Sequence, residues 1–215
     1  MDPEQRIREL EAALRQKEAA LREVQHRAKN GLQLAISLLR LQVGRMRDPE
    51  ARAAFEDTLH RIEALTLVYR QLHQSGAEAD VDLGAYLGEL AQLAATPPED
   101  AMRGPTLAVV VNAEPMSANL TTAMTLGLLV NELILASQRH AFAGDPRIEV
   151  SLVSAGNNLA RLSVSDNGRP LPVGFDPAHE DAMVLVQALA GQLGGDIDLQ
   201  TTGGTRAVVT FPLRQ

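Results

Sequence analysis

The chain has 215 residues, 45% of them hydrophobic and 22% charged, a composition that suits one or two globular domains with proper cores rather than a disordered tail. A net charge of −7, an aromatic share of 3% and no tryptophan leave neither the basic face nor the stacking rings of a nucleic-acid binder. Without cysteine there is no disulfide framework or thiolate metal site, no charge-free apolar run reaches about 18 residues, and the charged N-terminus is no signal peptide, so a cytoplasmic protein without membrane or nucleic-acid partners is expected.

Residues 4–46 read as one long helix. Heptads counted from Ile7 put Ile7, Leu14, Leu21, Ala28 and Ala35 at a, and Leu10, Lys17, Val24, Gly31 and Leu38 at d. Such a seam is apolar apart from Lys17 and the small Gly31, and it predicts a dimerising helix. His26 then falls at f, on the outer face, with Arg27, Lys29 and Asn30 around it, and Asn30 lies one turn on, within reach of the same face. A nucleophilic imidazole must be reachable by a phosphoryl group, and adjacent cations favour an incoming dianion. By position alone, however, His26 is an ordinary solvated side chain, and Arg27 and Lys29 are ordinary surface cations.

Arg47-Asp48-Pro49-Glu50 is a turn that restarts a helix, with Asp48 as cap, Pro49 in the first helical position and Glu50 complementing the dipole. The second helix runs to about Gln74, with Phe55, Leu59, Ile62, Leu65, Val68 and Leu72 on its apolar face, and Ser75-Gly76 ends it. Two helices joined by a tight turn cannot bury both stripes alone, so a homodimeric four-helix bundle is expected.

The texture changes beyond residue 76. Asp82–Ala95 reads as a third helix, closed by Thr96-Pro97-Pro98, and TLAVVV from Thr106 reads as a strand. A long helix follows from Ser117 to about Ala136, then the strands IEVSLVSA, LARLSVSD and AVVTFPL, with a helix at Ala182–Leu193 before Gly194-Gly195. The expected fold class is α+β: a helical-hairpin module over 1–76, then an α/β sandwich over 77–215 with helices on one face of a mixed sheet.

The order of segments is distinctive: an H-R-A-K-N helix, LVYRQLHQSG, LGLLVNELILASQRHAF, DNGRPLPVGFDP, LVQALAGQLGG and GGTR. Over roughly residues 20–213 the chain resembles the bacterial sensor histidine kinases whose phosphoacceptor motif reads H-R-x-K-N. The resemblance implies a dimerisation and phosphotransfer bundle followed by a histidine-kinase-type ATPase-like domain. It makes His26 the phosphoacceptor and Asn30 its companion, with Asn131, Glu132, Asp166 and Gly168 as the remnant nucleotide pocket.

Three departures bear on phosphate. The family pattern N-E-L-x-x-N-A-x-K-H-A-F becomes Asn131 to Phe142 here, with Ala136 in place of the asparagine that helps hold ATP-bound Mg²⁺, and a methyl group has no oxygen for a hard cation. In the box that usually reads D-x-G-x-G-L-P, Asp166 and Gly168 are present but Pro170 stands where the second glycine belongs, fixing φ and removing an N–H. Where the glycine-rich turn should set bare N–H groups against phosphates, the chain has Glu180, Asp181, Ala182 and Met183. Carboxylates facing a triphosphate at a few Å cost on the order of a kcal/mol or more each. The lid between Pro177 and Ala182 is also very short.

ATP-dependent autophosphorylation is therefore expected to be lost, with no cofactor of its own. The leading expectation is a histidine phosphotransferase that shuttles a phosphoryl group between receiver-domain aspartates of response regulators through His26. Mg²⁺ would come from the receiver, and Arg27 and Lys29 would neutralise phosphate or dock the acidic partner. The alternatives are an active ATP-dependent kinase and a non-catalytic dimeric scaffold that sequesters a regulator. The stretch before His26 is too short for an input domain. His60, His73, His140 and His179 lack ligand spacing and are expected to be structural or solvent-exposed, with no metal site.

Overall fold

The computed structural model describes residues 3–75, 80–96, 107–139, 142, 145–169, 181–201 and 203–213, the side chains of 72–75 and 181 excepted. The chain divides into two compact units, Met1–Ala79 and Asp80–Gln215.

The first unit is a helical hairpin of α1, Pro3–Val43, and α2, Pro49–Ser75. Asp48 ends the turn by accepting the Glu50 amide at 3.1 Å, which frees Pro49 to open α2 without wasting a donor. Along α1, Gln25, Ala28, Leu32, Ala35, Ile36 and Leu39 are half-buried and Val43 is buried, against the buried Ala64 and Val68 of α2. Arg40 Nη2 adds an ion pair to the buried Glu63 Oε1 at 2.6 Å.

The single seam expected from the heptads therefore divides. Ala28 and Ala35 turn toward α2 of the same hairpin, whereas Ile7, Leu10, Leu14, Leu21, Val24 and Leu38 stay exposed, joined by Leu34, Leu41 and Phe55. A helix in a bundle needs two contact faces, and a strict a/d reading supplies one. Leu72, expected on the apolar face of α2, and the Ser75-Gly76 stop fall wholly or partly outside the described side chains.

In the second unit, Val81–Asp82 (β1) pairs with Ser117–Ala118 (β3), a two-stranded element that the hydrophobic pattern does not reveal. Asp82 also caps α3, Leu83–Ala95, by accepting the Ala85 amide at 3.1 Å. The main sheet contains β2 (Ala108–Ala113), β4 (Arg147–Gly156), β5 (Leu159–Asp166), β6 (Asp196–Gln200) and β7 (Arg206–Pro212), in the order β2-β4-β5-β7-β6. β2 and β4 run parallel and every other pair is antiparallel, as a mixed sheet requires. Asn157 and Asn158 take positive φ at the β4–β5 turn, the backbone that a two-residue hairpin demands.

Period-two burial shows where the core sits. Ile148, Val150 and Leu152 on β4, Ala160 and Leu162 on β5, and Ala207, Val209 and Phe211 on β7 are buried, while Glu149, Arg161 and Arg206 are exposed on the other face. The buried face carries α3, α4 (Leu120–Arg139) and α5 (Asp181–Leu193). α4 starts at Leu120 rather than Ser117, because Asn119 Oδ1 accepts the Thr122 amide at 2.9 Å and Ser117 belongs to β3. By length and a mean hydropathy of 1.5, α4 is apolar enough to cross a membrane, although it is not a charge-free run. Two-thirds of that window is nevertheless buried in the protein, with Glu132 inside it, so its apolarity is accounted for by the core. Tyr86 of α3 is fully buried against Gly127 of α4, and burial pushes its phenol well above the ordinary tyrosine range.

Candidate functional site

The one residue constellation that reads directly off helix geometry is His26 with Asn30. Both are exposed on α1, and Asn30 Nδ2 lies 3.3 Å from His26 Nδ1. Rotating an amide by half a turn exchanges its donor for its acceptor. When Asn30 offers its oxygen, Nδ1 carries the proton and the lone pair sits on Nε2, which is the nucleophilic tautomer for attack on phosphorus. Lys29 is half-buried on the side of α1 that faces α2. Arg27 is bound within its own helix: its Nε donates to Glu23 Oε1 at 2.7 Å, an i,i+4 pair on the exposed surface. Arg27 as a ready phosphate contact thus has a competitor that the expectation did not weigh.

The second constellation surrounds Asp166 at the end of β5. Asp166 Oδ1 accepts the Gly168 amide at 2.8 Å and the Thr205 amide at 3.3 Å, and Oδ2 accepts the Ser137 hydroxyl at 2.9 Å. The Asp166 amide in turn donates to Thr205 O at 2.9 Å. This one residue therefore ties α4, the turn after β5 and the approach to β7 together. Two glycines make the approach possible. A Cβ on Gly168 would lie 2.9 Å from Asp166 Oδ1, and one on Gly204, where φ is +123°, would run into the Asp166 carbonyl oxygen. Phe142 closes the side as an isolated antiparallel bridge to Gly168. Among the described residues, Thr205 Oγ1 is the one buried side-chain polar atom without a hydrogen-bond partner.

Asn131 and Glu132 lie deep in α4, 3% and 1% exposed, with Asn131 Nδ2 3.4 Å from Glu132 Oε1. Ala136 is half-buried one residue before the buried Ser137. Pro170 and Glu180 lie outside the described residues, as does the side chain of Asp181, whereas Ala182 is half-buried and Met183 buried in α5. Ser137 and Thr205 escape a sequence reading because each matters only through Asp166, which is 29 and 39 residues away. Of the other histidines, His60 Nδ1 lies 3.8 Å from Glu63 Oε2 in the hairpin, and His140, His179 and the side chain of His73 lie outside the described residues. Among the described residues no three His, Asp or Glu side chains gather as a metal site.

The chain is similar to known proteins over most of its length. Residues 23–96, which include His26, Asn30 and α3, match the family model HisKA_2, histidine kinase. Blue-light-activated histidine kinase 2 of Erythrobacter litoralis is 34% identical over 204 residues, covering 90% of this chain and 57% of that protein. Sensor histidine kinase PdtaS of Mycolicibacterium smegmatis is 27% identical over 96% of this chain and 42% of its own length. The chain thus spans about half the length of the curated relatives it matches. The solved histidine kinase domain of an Erythrobacter litoralis blue-light-activated histidine kinase aligns with a TM-score of 0.65 and 29% identity, covering 91% of this chain and 92% of that one. A helical module carrying the His26–Asn30 pair, matched over residues 23–96 by the HisKA_2 histidine kinase model, and a mixed-sheet domain closed around Asp166 together make the chain similar, over nearly its whole length, to histidine kinases.

Proposed function

We propose that His26 is a phosphoryl carrier in two-component signalling, taking its phosphate from the phospho-aspartate of one receiver domain and passing it to the aspartate of another. His26 Nε2 attacks phosphorus in line, the N–P bond forms as the acyl P–O bond breaks, and the receiver carboxylate leaves. With the Asn30 amide turned so that its oxygen faces Nδ1, the Nδ1 proton stays with the ring and is held by Asn30. A phosphohistidine and an acyl phosphate are both high-energy species, so the return step onto a second aspartate needs alignment more than acid–base help. Mg²⁺ for each transfer belongs to the acidic pocket of the receiver. The proposed active form is a homodimer, with the open stripe of α1 (Leu34, Leu38, Leu41) and Phe55 of α2 covered by a second copy.

The observation that carries the donor assignment is the methyl group of Ala136. The family implies Mg–ATP in the second unit, and the residues fit it on one side only. Asp166 and the unpartnered Thr205 Oγ1 suit the edge of a base, but Ala136 has no oxygen for the metal. No step is therefore routed through ATP.

Kinship speaks for a second reading, an ATP-dependent sensor kinase. The relatives matched over nine-tenths or more of this chain are named as histidine kinases, and Thr205 Oγ1 is the kind of orphaned group that a bound base would satisfy. One experiment separates the two. The purified chain is incubated with γ-labelled Mg–ATP alone, or with a labelled phospho-receiver, and acid-labile label is followed on wild type and on His26→Ala. Relay predicts label on wild type only in the second arm. Label from Mg–ATP alone makes the chain a kinase, and no label in either arm leaves a binding scaffold.

A further inference from the structure

We propose that Ser137 is a specificity-determining residue of the second unit, one that caps Asp166 from within the protein and so competes with a nucleotide base for the carboxylate. This rests on the relay reading above and supplies the part of it that Ala136 does not cover. Ala136 removes a metal ligand, which weakens the hold on phosphates but leaves the base side untouched. Ser137, the next residue, acts on the base side. Its hydroxyl donates to Asp166 Oδ2 at 2.9 Å, while Oδ1 already accepts the Gly168 and Thr205 amides.

A carboxylate has about four acceptor positions, and three of these are met by the protein's own donors. A base that presents an exocyclic amine to Asp166 finds one position left, on the oxygen that already accepts the Ser137 hydroxyl, and must share Oδ2 with that hydroxyl or displace it. Ser137 is 9% exposed on a fully wound stretch of α4, so backbone packing holds the hydroxyl where it is. The cap also links α4 to the segment before β7 through a single carboxylate. Hydrogen bonds to a charged group are among the stronger ones in proteins, and displacing one weakens a competing ligand by about tenfold or more.

The test compares the wild-type chain with Ser137→Ala, using ADP as the probe, with Mg²⁺ and separately with EDTA. ADP carries no transferable γ-phosphate, so the result is independent of whether His26 is labelled from ATP. Affinity is read by calorimetry and by the ADP-dependent shift in melting temperature. The expected result has two parts. Without ADP, Ser137→Ala melts below wild type because Asp166 loses a donor. With ADP, the variant binds at least fivefold more tightly than wild type, in EDTA as well as in Mg²⁺. Equal affinity for the two proteins, undetectable binding to both, or weaker binding by Ser137→Ala overturns the proposal. Ser137→Thr keeps the hydroxyl and is expected to retain the wild-type affinity. If it gains affinity as the alanine variant does, shape and not the hydrogen bond is responsible, and the proposal fails on that result too.

Discussion

Leu38→Ala tests the proposed dimer at the position where the protomer leaves most to be explained. Leu38 is 55% exposed on α1, between Leu34 and Leu41, each 62% exposed, and none of the three contributes to the core of the hairpin. Full burial of a leucine is worth roughly 1.5–3 kcal/mol, so covering the exposed half of Leu38 yields about 1–1.5 kcal/mol. A two-fold interface counts the side chain twice, which makes about 2–3 kcal/mol per dimer and a dissociation constant raised ~30- to 150-fold. Alanine is the better helix former, so circular dichroism should show unchanged helix content and the loss should appear only in assembly. Sedimentation equilibrium over a dilution series measures it, with Arg8→Ala, exposed on the N-terminal part of the same helix, as the control that should not move. A change below about threefold for Leu38→Ala would remove this stripe from any interface between copies, and with it the four-helix bundle.

Asn30→Ala should slow phosphohistidine formation about 2- to 12-fold, the range for losing one neutral hydrogen bond to His26 Nδ1, with His26 still the labelled residue; an unchanged rate would make the 3.3 Å contact incidental. Gly127→Ala is expected to destabilise the second unit although alanine in a helix is normally worth about 1 kcal/mol over glycine. The new Cβ would run into the Tyr86 ring, with Cε1 at 2.5 Å, and that ring is fully buried and cannot swing aside. Overpacking costs about 1–3 kcal/mol and more when nothing yields, so a net loss of about 1–2 kcal/mol and a midpoint lowered by about 2–8 °C are expected. A raised midpoint would show that α3 and α4 pack more loosely than the contact implies.

Local chemistry was legible in the sequence where it depends on neighbours along one element. The His26–Asn30 pair follows from a four-residue spacing, and the Asp48 cap and the alternation in β4, β5 and β7 follow from rules of the same short range. The Glu23–Arg27 pair obeys the same spacing and could have been read from it; attention to cations as phosphate partners hid the nearer acid. β6 was missed because Asp-Ile-Asp-Leu-Gln follows Gly194-Gly195 and offers only two half-buried apolar residues, so its pairing to β7 supplies what its composition does not. The division of the α1 seam was out of reach for a different reason. A heptad count assumes one partner, and α1 has α2 on one side while leaving another apolar stripe open.

Ala136 and Ser137 show how far a motif can be carried before geometry is needed. As letters, Ala136 was the informative one, because it deletes an oxygen, and Ser137 beside it carried no signal of its own. Consecutive residues on a helix point about 100° apart, so the two do not act on the same part of a ligand. The half-buried Ala136 changes what the helix offers a metal. Ser137 turns toward the core and reaches a carboxylate 29 residues later in the chain. A deletion that weakens phosphate binding leaves a site open to reversal by a partner or by high nucleotide concentration. A hydroxyl that satisfies Asp166 from inside lowers the energy of the ligand-free domain itself, so any nucleotide must compete with the fold. The pair is thus more effective than either change alone, and restoring activity by returning only the metal-binding asparagine should fail while Ser137 remains.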